Sequence, residues 1–138
     1  MKKMKFAFIF GTRPEIIKLS SLIRLCMKKK IDFFTVHTGQ HYSHSMFKLF
    51  LDELGLPRPD YELNVKSKAP YKQGDHTGRM MMKLEDILLE ELPSVVLVQG
   101  DTTTVMAASL VAFYNRCRLG HVEAGLRTGD KYHPFPEE

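Results

Sequence analysis

Two carboxylates lie where apolar segments of the sequence end, which is where proteins with parallel sheets gather functional side chains, and a third lies in a loop that can reach them. Asp101 follows the apolar run 95–98, Glu123 ends the run 119–123, and Glu137 lies in a proline-rich stretch near the end of the chain. Carboxyl groups that come together shift one another's pKa and supply general acids and bases. The three residues therefore predict a site for proton transfer.

Two of these carboxylates also have a purely structural interpretation. Asp101 directly precedes a helical segment, and Asp is a favoured N-cap residue. His121 lies two residues before Glu123 and so faces the same side of a strand, where the two side chains can pair at the sheet rim. The residue types and their spacing leave both interpretations open.

A candidate anion site lies at residues 11–15, Gly-Thr-Arg-Pro-Glu. Gly11 ends an apolar run, and Thr12 with Glu15 three residues later has the form of a capping box at a helix start. Backbone N–H groups at a helix N-terminus attract anions, and Arg13 can add paired contacts to a phosphate. The alternative is a capped turn with a surface arginine. The segment is neither a Walker loop nor G-x-G-x-x-G.

Alternating strand and helix patterns indicate the elements that position these residues. We expect strands at 4–10, 31–37, 61–65, 95–98 and 119–123, and helices at 13–30, 46–54, 77–92 and 102–114. Such alternation is typical of βαβ units and predicts an α/β fold with a doubly wound parallel sheet. We expect the order 3-2-1-4-5, which reverses between strands 1 and 4. Ligands bind at that point, beside loops 11–13 and 100–102.

The composition is that of a globular domain, since 43% of the 138 residues are hydrophobic and 26% are charged. The net charge of +4 is compatible with an anionic small-molecule ligand. The sequence lacks the basic stripe interleaved with aromatic residues that is typical of a nucleic-acid-binding protein. No apolar run reaches the ~18–20 residues that a membrane span needs. We therefore expect one cytoplasmic domain without a nucleic-acid or membrane partner.

The cysteines and histidines do not form a recognisable metal or disulfide motif. Cys26 and Cys117 lie far apart, which fits a reducing compartment. His37, His41 and His44 spread over a strand end and a loop rather than one helical face. We expect no metal.

Five segments carry a more specific signal. They are 11–18 (Gly-Thr-Arg-Pro-Glu-Ile-Ile-Lys), 38–41 (Thr-Gly-Gln-His), 99–104 (Gln-Gly-Asp-Thr-Thr-Thr), 121–128 (His-Val-Glu-Ala-Gly-Leu-Arg-Thr) and 134–138 (Pro-Phe-Pro-Glu-Glu). In residues, order and spacing, the set resembles the UDP-N-acetylglucosamine 2-epimerase family. The resemblance covers the whole chain, and none of these strings is a generic nucleotide-binding sequence.

The resemblance implies an architecture. Members of this family have two Rossmann-like domains that face a cleft, as in GT-B glycosyltransferases. Residues 1–138 then correspond to the N-terminal domain, and the C-terminal domain, which supplies most UDP contacts, is absent from this chain. The resemblance also implies a homodimer for the full-length protein and an isolated fragment that is inactive.

The resemblance further implies an isomerase that serves cell-envelope polysaccharide biosynthesis and requires no cofactor. The family interconverts UDP-N-acetylglucosamine and UDP-N-acetylmannosamine by eliminating UDP across C1–C2 and re-adding it with C2 inverted. Motif matches assign residues to three roles. These are acid/base catalysis for Asp101, Glu123 and Glu137, substrate binding for Arg13, Lys18 and Arg127, and an allosteric UDP-sugar site for Gln40 and His41. Arg13 and Lys18 would either assist the diphosphate or orient the carboxylates.

Three other functions remain open at the level of sequence. Some family members hydrolyse the intermediate and release UDP with free N-acetylmannosamine. The same fold also occurs as half of a GT-B glycosyltransferase, although the clustered carboxylates argue against that reading. The third alternative is a nucleotide-sugar-binding half-domain without catalysis.

Overall fold

The computed structural model describes residues 4–39, 44–65 and 70–134, in which strands and helices alternate along the chain. The strands are β1 (Lys5–Phe10), β2 (Asp32–His37), β3 (Tyr61–Glu62), β4 (Val95–Gln99) and β5 (Arg118–Val122). The helices are α1 (Arg13–Lys29), α2 (His44–Glu53), α3 (Gln73–Glu91) and α4 (Thr103–Tyr114).

The five strands form one parallel sheet in the order β3-β2-β1-β4-β5. The predicted order 3-2-1-4-5 is therefore confirmed. In the central strand β1, Phe8 lies opposite Thr35 of β2 and Leu97 of β4. The order reverses between β1 and β4, so the turns after these two strands diverge and leave space at the sheet edge.

Helices cover both faces of the sheet. Ala7 and Ile9 of β1 pack in a core with α3 and α4, whereas Phe8 and Phe10 pack in a second core with α1 and α2. All four side chains are at most 1% exposed. A strand buried on both faces reads as a continuous apolar run, which is why β1 is recognisable from sequence. The predicted doubly wound α/β fold is confirmed.

The helix α1 is stabilised by the same apolar residues whose spacing predicts it. Ile16, Leu19, Ile23 and Cys26 recur at helical spacing and are all buried against the sheet. The helix ends at Lys29, and the next residue, Lys30, caps it with a left-handed backbone, φ 53°. Only residues 11 and 12 separate α1 from β1, so the first turn of α1 lies at the carboxyl end of the sheet.

Several predicted boundaries differ from the observed ones, and three of them have a local reason. The helix α3 begins at Gln73 rather than at 77. Its first buried side chain is the polar His76, so the apolar pattern that predicts the helix starts only after that residue. The strand β3 ends at Glu62 rather than at 65, and Asn64 turns the backbone with φ 46°. Glu123 lies just outside β5, where its φ of 58° breaks the strand.

None of the helices in the described ranges is both long enough and apolar enough to cross a membrane.

Candidate active site

A cavity of about 1050 Å³ lies where the sheet order reverses, at the carboxyl ends of β1, β4 and β5. Its walls come from the first turns of α1, the start of α4 and the segment that follows β5. Four of the site residues that the sequence predicts line it, namely Lys18, Asp101, Glu123 and Arg127. The volume lies at the upper end of the range for small-molecule sites.

Two side chains contact the carboxylate of Glu123 in this cavity. Its Oε2 atom accepts hydrogen bonds from the Nζ of Lys18 and from the side-chain amide of Gln99. The bond from the Lys18 ammonium, followed by its charge and by the Gln99 amide, lowers the pKa of the Glu123 carboxyl below its usual value. Glu123 is therefore ionised at neutral pH, which is the state that a general base requires.

The N-terminal turn of α1 already holds an anion from the chain itself. Glu15 is 1% exposed, and its carboxylate accepts hydrogen bonds from the backbone N–H groups of Gly11 at 2.9 Å and Thr12 at 2.6 Å. The Thr102 hydroxyl donates a third at 2.7 Å. Glu15 therefore locks the turn after β1 to the turn after β4, and those two N–H groups are not available to a phosphate.

Asp101 is not the N-cap of α4. Thr102 occupies the cap position, and its Oγ1 accepts a hydrogen bond from the N–H of Val105 at 3.4 Å. Asp101 is exposed in the cavity and makes no hydrogen bond or ion pair with any residue in the described ranges. The structural interpretation of Asp101 is thus wrong, and its carboxylate is accessible to a ligand.

The predicted pair between His121 and Glu123 does not form. The Nε2 of His121 lies 2.5 Å from the carbonyl oxygen of Gly100, while Glu123 contacts Lys18 and Gln99. Residues two apart face the same side only within a strand, and Glu123 lies beyond the last residue of β5. His121 instead ties the end of β5 to the loop after β4.

The two predicted arginines differ in position. Arg127 lines the cavity, and its Nη1 donates to the carbonyl of Leu126 at 2.6 Å. Arg13 lies outside the set of lining residues and stacks its guanidinium over the ring of Phe50, 5.2 Å from the ring centroid. Arg13 therefore links the first turn of α1 to α2.

Three of the predicted residues lie outside the described part of the chain: Glu137, Gln40 and His41. Within the ranges that are described, no group of three His, Cys, Asp or Glu side chains is arranged to hold a metal ion.

Sequence reasoning missed two polar residues that line the cavity, Gln99 and Gln73. Gln99 is 3% exposed, yet it bonds to Glu123. Gln73 begins α3, and its amide donates to the Thr103 hydroxyl at 2.7 Å. Gln99 could have been found from the sequence, because it is a polar residue directly after an apolar strand. Gln73 carries no such signal, because it lies before the start of the helix predicted at 77–92.

Comparison with known proteins decides the family. A family model described as UDP-N-acetylglucosamine 2-epimerase matches residues 24–138. The chain belongs to the UDP-N-acetylglucosamine 2-epimerase family. The match includes Gln99, Asp101, Glu123 and Arg127, whereas Lys18 lies before its first residue.

Individual members of the UDP-N-acetylglucosamine 2-epimerase family align over the whole chain. The protein of that name from Methanocaldococcus jannaschii is 51% identical over 135 residues, which is 98% of this chain and 36% of the relative. The one from Bacillus subtilis is 45% identical over 140 residues, again 36% of its length. This chain therefore spans about a third of the relatives that it matches.

A solved structure from the same family agrees with the fold. The crystal structure of the M. jannaschii UDP-GlcNAc 2-epimerase, in complex with UDP-GlcNAc and UDP, has a TM-score of 0.87 and 51% identity. The alignment covers 98% of this chain and 36% of that chain. The parallel sheet of the present chain thus corresponds to one part of a larger molecule.

Proposed function

We propose that this chain forms the carboxylate-bearing wall of the cleft in an enzyme that interconverts UDP-N-acetylglucosamine and UDP-N-acetylmannosamine. The observation that supports this most is the ionised Glu123, held by Lys18 in the cavity that Asp101 also lines. Membership in the family and the UDP-GlcNAc complex of a 51% identical relative support the choice of substrate.

In the first half of the reaction Glu123 acts as the base. The C2 proton of the sugar is weakly acidic, so its removal requires an ionised group close by. The proton moves to the carboxylate, and the C2–H electron pair forms the second bond between C1 and C2. UDP leaves with the electron pair of the C1–O bond.

The second half reverses these steps on the other face of the sugar. UDP adds to C1, and a carboxylic acid delivers a proton to C2 from the opposite side, which inverts that carbon. Asp101 and Glu137 are the remaining carboxylates for this step. Asp101 is suited to it because it is exposed in the cavity and engaged by no described residue.

The departing diphosphate is stabilised by cations, since the charge on its oxygens increases as the C1–O bond breaks. Lys18 and Arg127 line the cavity and are placed for this role. Arg13 does not line the cavity, and its stacking on Phe50 suits it to support the first turn of α1 rather than to contact the diphosphate.

The domain assignment is part of the proposal. Residues 1–138 belong to the N-terminal Rossmann-like domain of a GT-B-type molecule, and the remaining two thirds found in the relatives supply the facing wall. We infer a homodimer for the full-length protein. The free thiols of Cys26 and Cys117 support a cytoplasmic location.

A hybrid protein tests this function. Residues 1–138 of this chain replace the matching segment of the M. jannaschii relative, and the intact relative serves as the positive control. The hybrid and the isolated chain are each incubated with UDP-N-acetylglucosamine, and the products are followed by proton NMR.

The proposal expects UDP-N-acetylmannosamine from the hybrid and no turnover by the isolated chain, because half of the cleft is absent. Free N-acetylmannosamine with UDP would instead identify the hydrolysing reaction. A folded hybrid that leaves the substrate unchanged, beside an active control, would overturn the proposal.

A further inference from the structure

Gln99 is a buried polar residue without a role in the reaction described above. It is the last residue of β4, pairs with Val122 of β5 and is 3% exposed. A buried side-chain amide is costly unless it forms hydrogen bonds. Its Nε2 donates to Oε2 of Glu123, so the amide connects the rigid sheet directly to the predicted base.

Glu123 needs such a connection because its own surroundings hold it weakly. It lies beyond the end of β5 with φ 58°, and 36% of its side chain is exposed. The Lys18 side chain is 46% exposed and flexible, and ion pairs of that kind fix geometry poorly. Gln99 is the partner whose position is set by packing within the sheet.

Both donors bind the same carboxylate oxygen. Lys18 and Gln99 bond to Oε2, and no residue in the described ranges donates to Oε1. A carboxylate held in this way has one occupied oxygen and one that is free to exchange a proton with a ligand. The amide is neutral, so it orients the group at every pH, whereas Lys18 supplies the charge.

We propose that Gln99 is a positioning residue, whose amide fixes Glu123 so that Oε1 is the oxygen that takes up the substrate proton. This inference rests on the proposed function, because it assigns the base of that reaction. It extends the function to a residue that acts through Glu123.

The test uses the hybrid protein with the variant Gln99→Met, which keeps the length of the side chain but removes its donor. Hydrogen bonds to the charged form favour that form, so the variant is expected to raise the pKa of Glu123. The acid limb of kcat/KM against pH then moves to higher pH. We expect kcat to fall by about 10- to 100-fold through loss of orientation, while KM stays within about threefold.

A second variant and a control keep the result interpretable. Gln99→Glu places a like charge against Glu123 and should move the acid limb further in the same direction. Val96→Ala removes a fully buried side chain from the same strand, so it lowers the melting temperature and leaves the pH profile unchanged. The other charged or titratable groups that line the cavity are unaltered in all three variants: Glu15, Lys18, Asp101, His121 and Arg127.

Two readouts separate this inference from the function beneath it. The Glu123 carboxyl is titrated by carbon-13 NMR in the same proteins, with or without turnover. An unchanged Glu123 titration in both Gln99 variants would overturn the positioning role. Absence of turnover in the unsubstituted hybrid would overturn the proposed function, whatever the titration shows.

Discussion

At the scale of single residues, the charge of Glu123 depends first on Lys18. The Lys18 ammonium is the largest cause of the lowered pKa of the Glu123 carboxyl. A base with a lowered pKa stays ionised to lower pH, and activity is lost as the pH falls through that value. The variant Lys18→Met should therefore move the acid limb of kcat/KM to higher pH. Lys29→Met, at the exposed far end of α1, is the matched control, and equal profiles for both variants would argue against the ion pair.

Asp101 and Thr102 are neighbours with separable roles. Asp101→Asn in the hybrid should lower turnover by ~10²–10⁴-fold and leave the melting temperature unchanged, because Asp101 is exposed and is not the helix cap. Thr102→Ala should lower stability by about 1–2 kcal/mol, since it removes the cap of α4 and a hydrogen bond to Glu15. Thermal unfolding and turnover are measured together. A destabilised Asp101→Asn with normal turnover would reverse the two roles.

At the scale of elements, the turn between β1 and α1 leaves no room for a side chain. A Cβ on Gly11 would lie 2.5 Å from the hydroxyl oxygens of both Thr38 and Thr104, which are themselves hydrogen bonded at 2.8 Å. Gly11→Ala should therefore cost about 1–3 kcal/mol of unfolding free energy. Gly74→Ala in α3 meets nothing within 4 Å and should stabilise by about 0.5–1 kcal/mol. Urea unfolding checks both, and a neutral Gly11→Ala would contradict the close packing.

The far end of the sheet has its own titrating cluster. Glu91 of α3 accepts hydrogen bonds from Lys5 of β1 and from Tyr61 of β3, and these bonds lower the pKa of the Glu91 carboxyl. A carboxyl group whose pKa is lower in the folded state stabilises the fold at pH values above its unfolded pKa of about 4.3. That contribution is lost as the pH falls through the folded value. Glu91→Gln should therefore flatten the acid side of a stability-against-pH curve.

The same cluster predicts an alkaline effect. The hydrogen bond to Glu91 is the largest cause that raises the pKa of the Tyr61 phenol from 10.0 to about 12. A phenol whose pKa is higher in the folded state stabilises the fold below about pH 10, and this stabilisation is lost as the pH rises towards 12. Tyr61→Phe should remove this loss, and one tyrosine should titrate late by ultraviolet absorbance. A late phase that survives in Tyr61→Phe would contradict the assignment.

Elements with a strong apolar period could be predicted from sequence, and those without one could not. The strand β1 and the helix α1 bury continuous or evenly spaced apolar residues, so their pattern and the strand order follow. The start of α3 was missed because a polar histidine fills its first buried position. The resemblance lets Lys18 orient a carboxylate, and its contact with Glu123 agrees with that alternative. The contact of Gln99 with Glu123 was missed because β4 and the segment after β5 come together only in the folded chain.

At the scale of the whole molecule, the proposed function makes this chain one wall of a site. Asp101 and Glu123 line its cavity. The chain that forms this cavity spans about a third of the length of its relatives. Transition-state stabilisation requires groups placed around the sugar and the diphosphate together. The proposed function assigns proton transfer to the wall described here and the rest of the cleft to the other two thirds of the molecule.

Solvent exchange at C2 of the sugar tests most directly whether carboxylates of this chain move that proton. UDP-N-acetylglucosamine is incubated with the hybrid protein in deuterated water, and the C2 position of substrate and product is followed by NMR. The account predicts deuterium at C2 of the UDP-N-acetylmannosamine formed, at a rate that Glu123→Gln lowers by ~10²–10⁴-fold. Product that forms at the normal rate with only protium at C2 would contradict it.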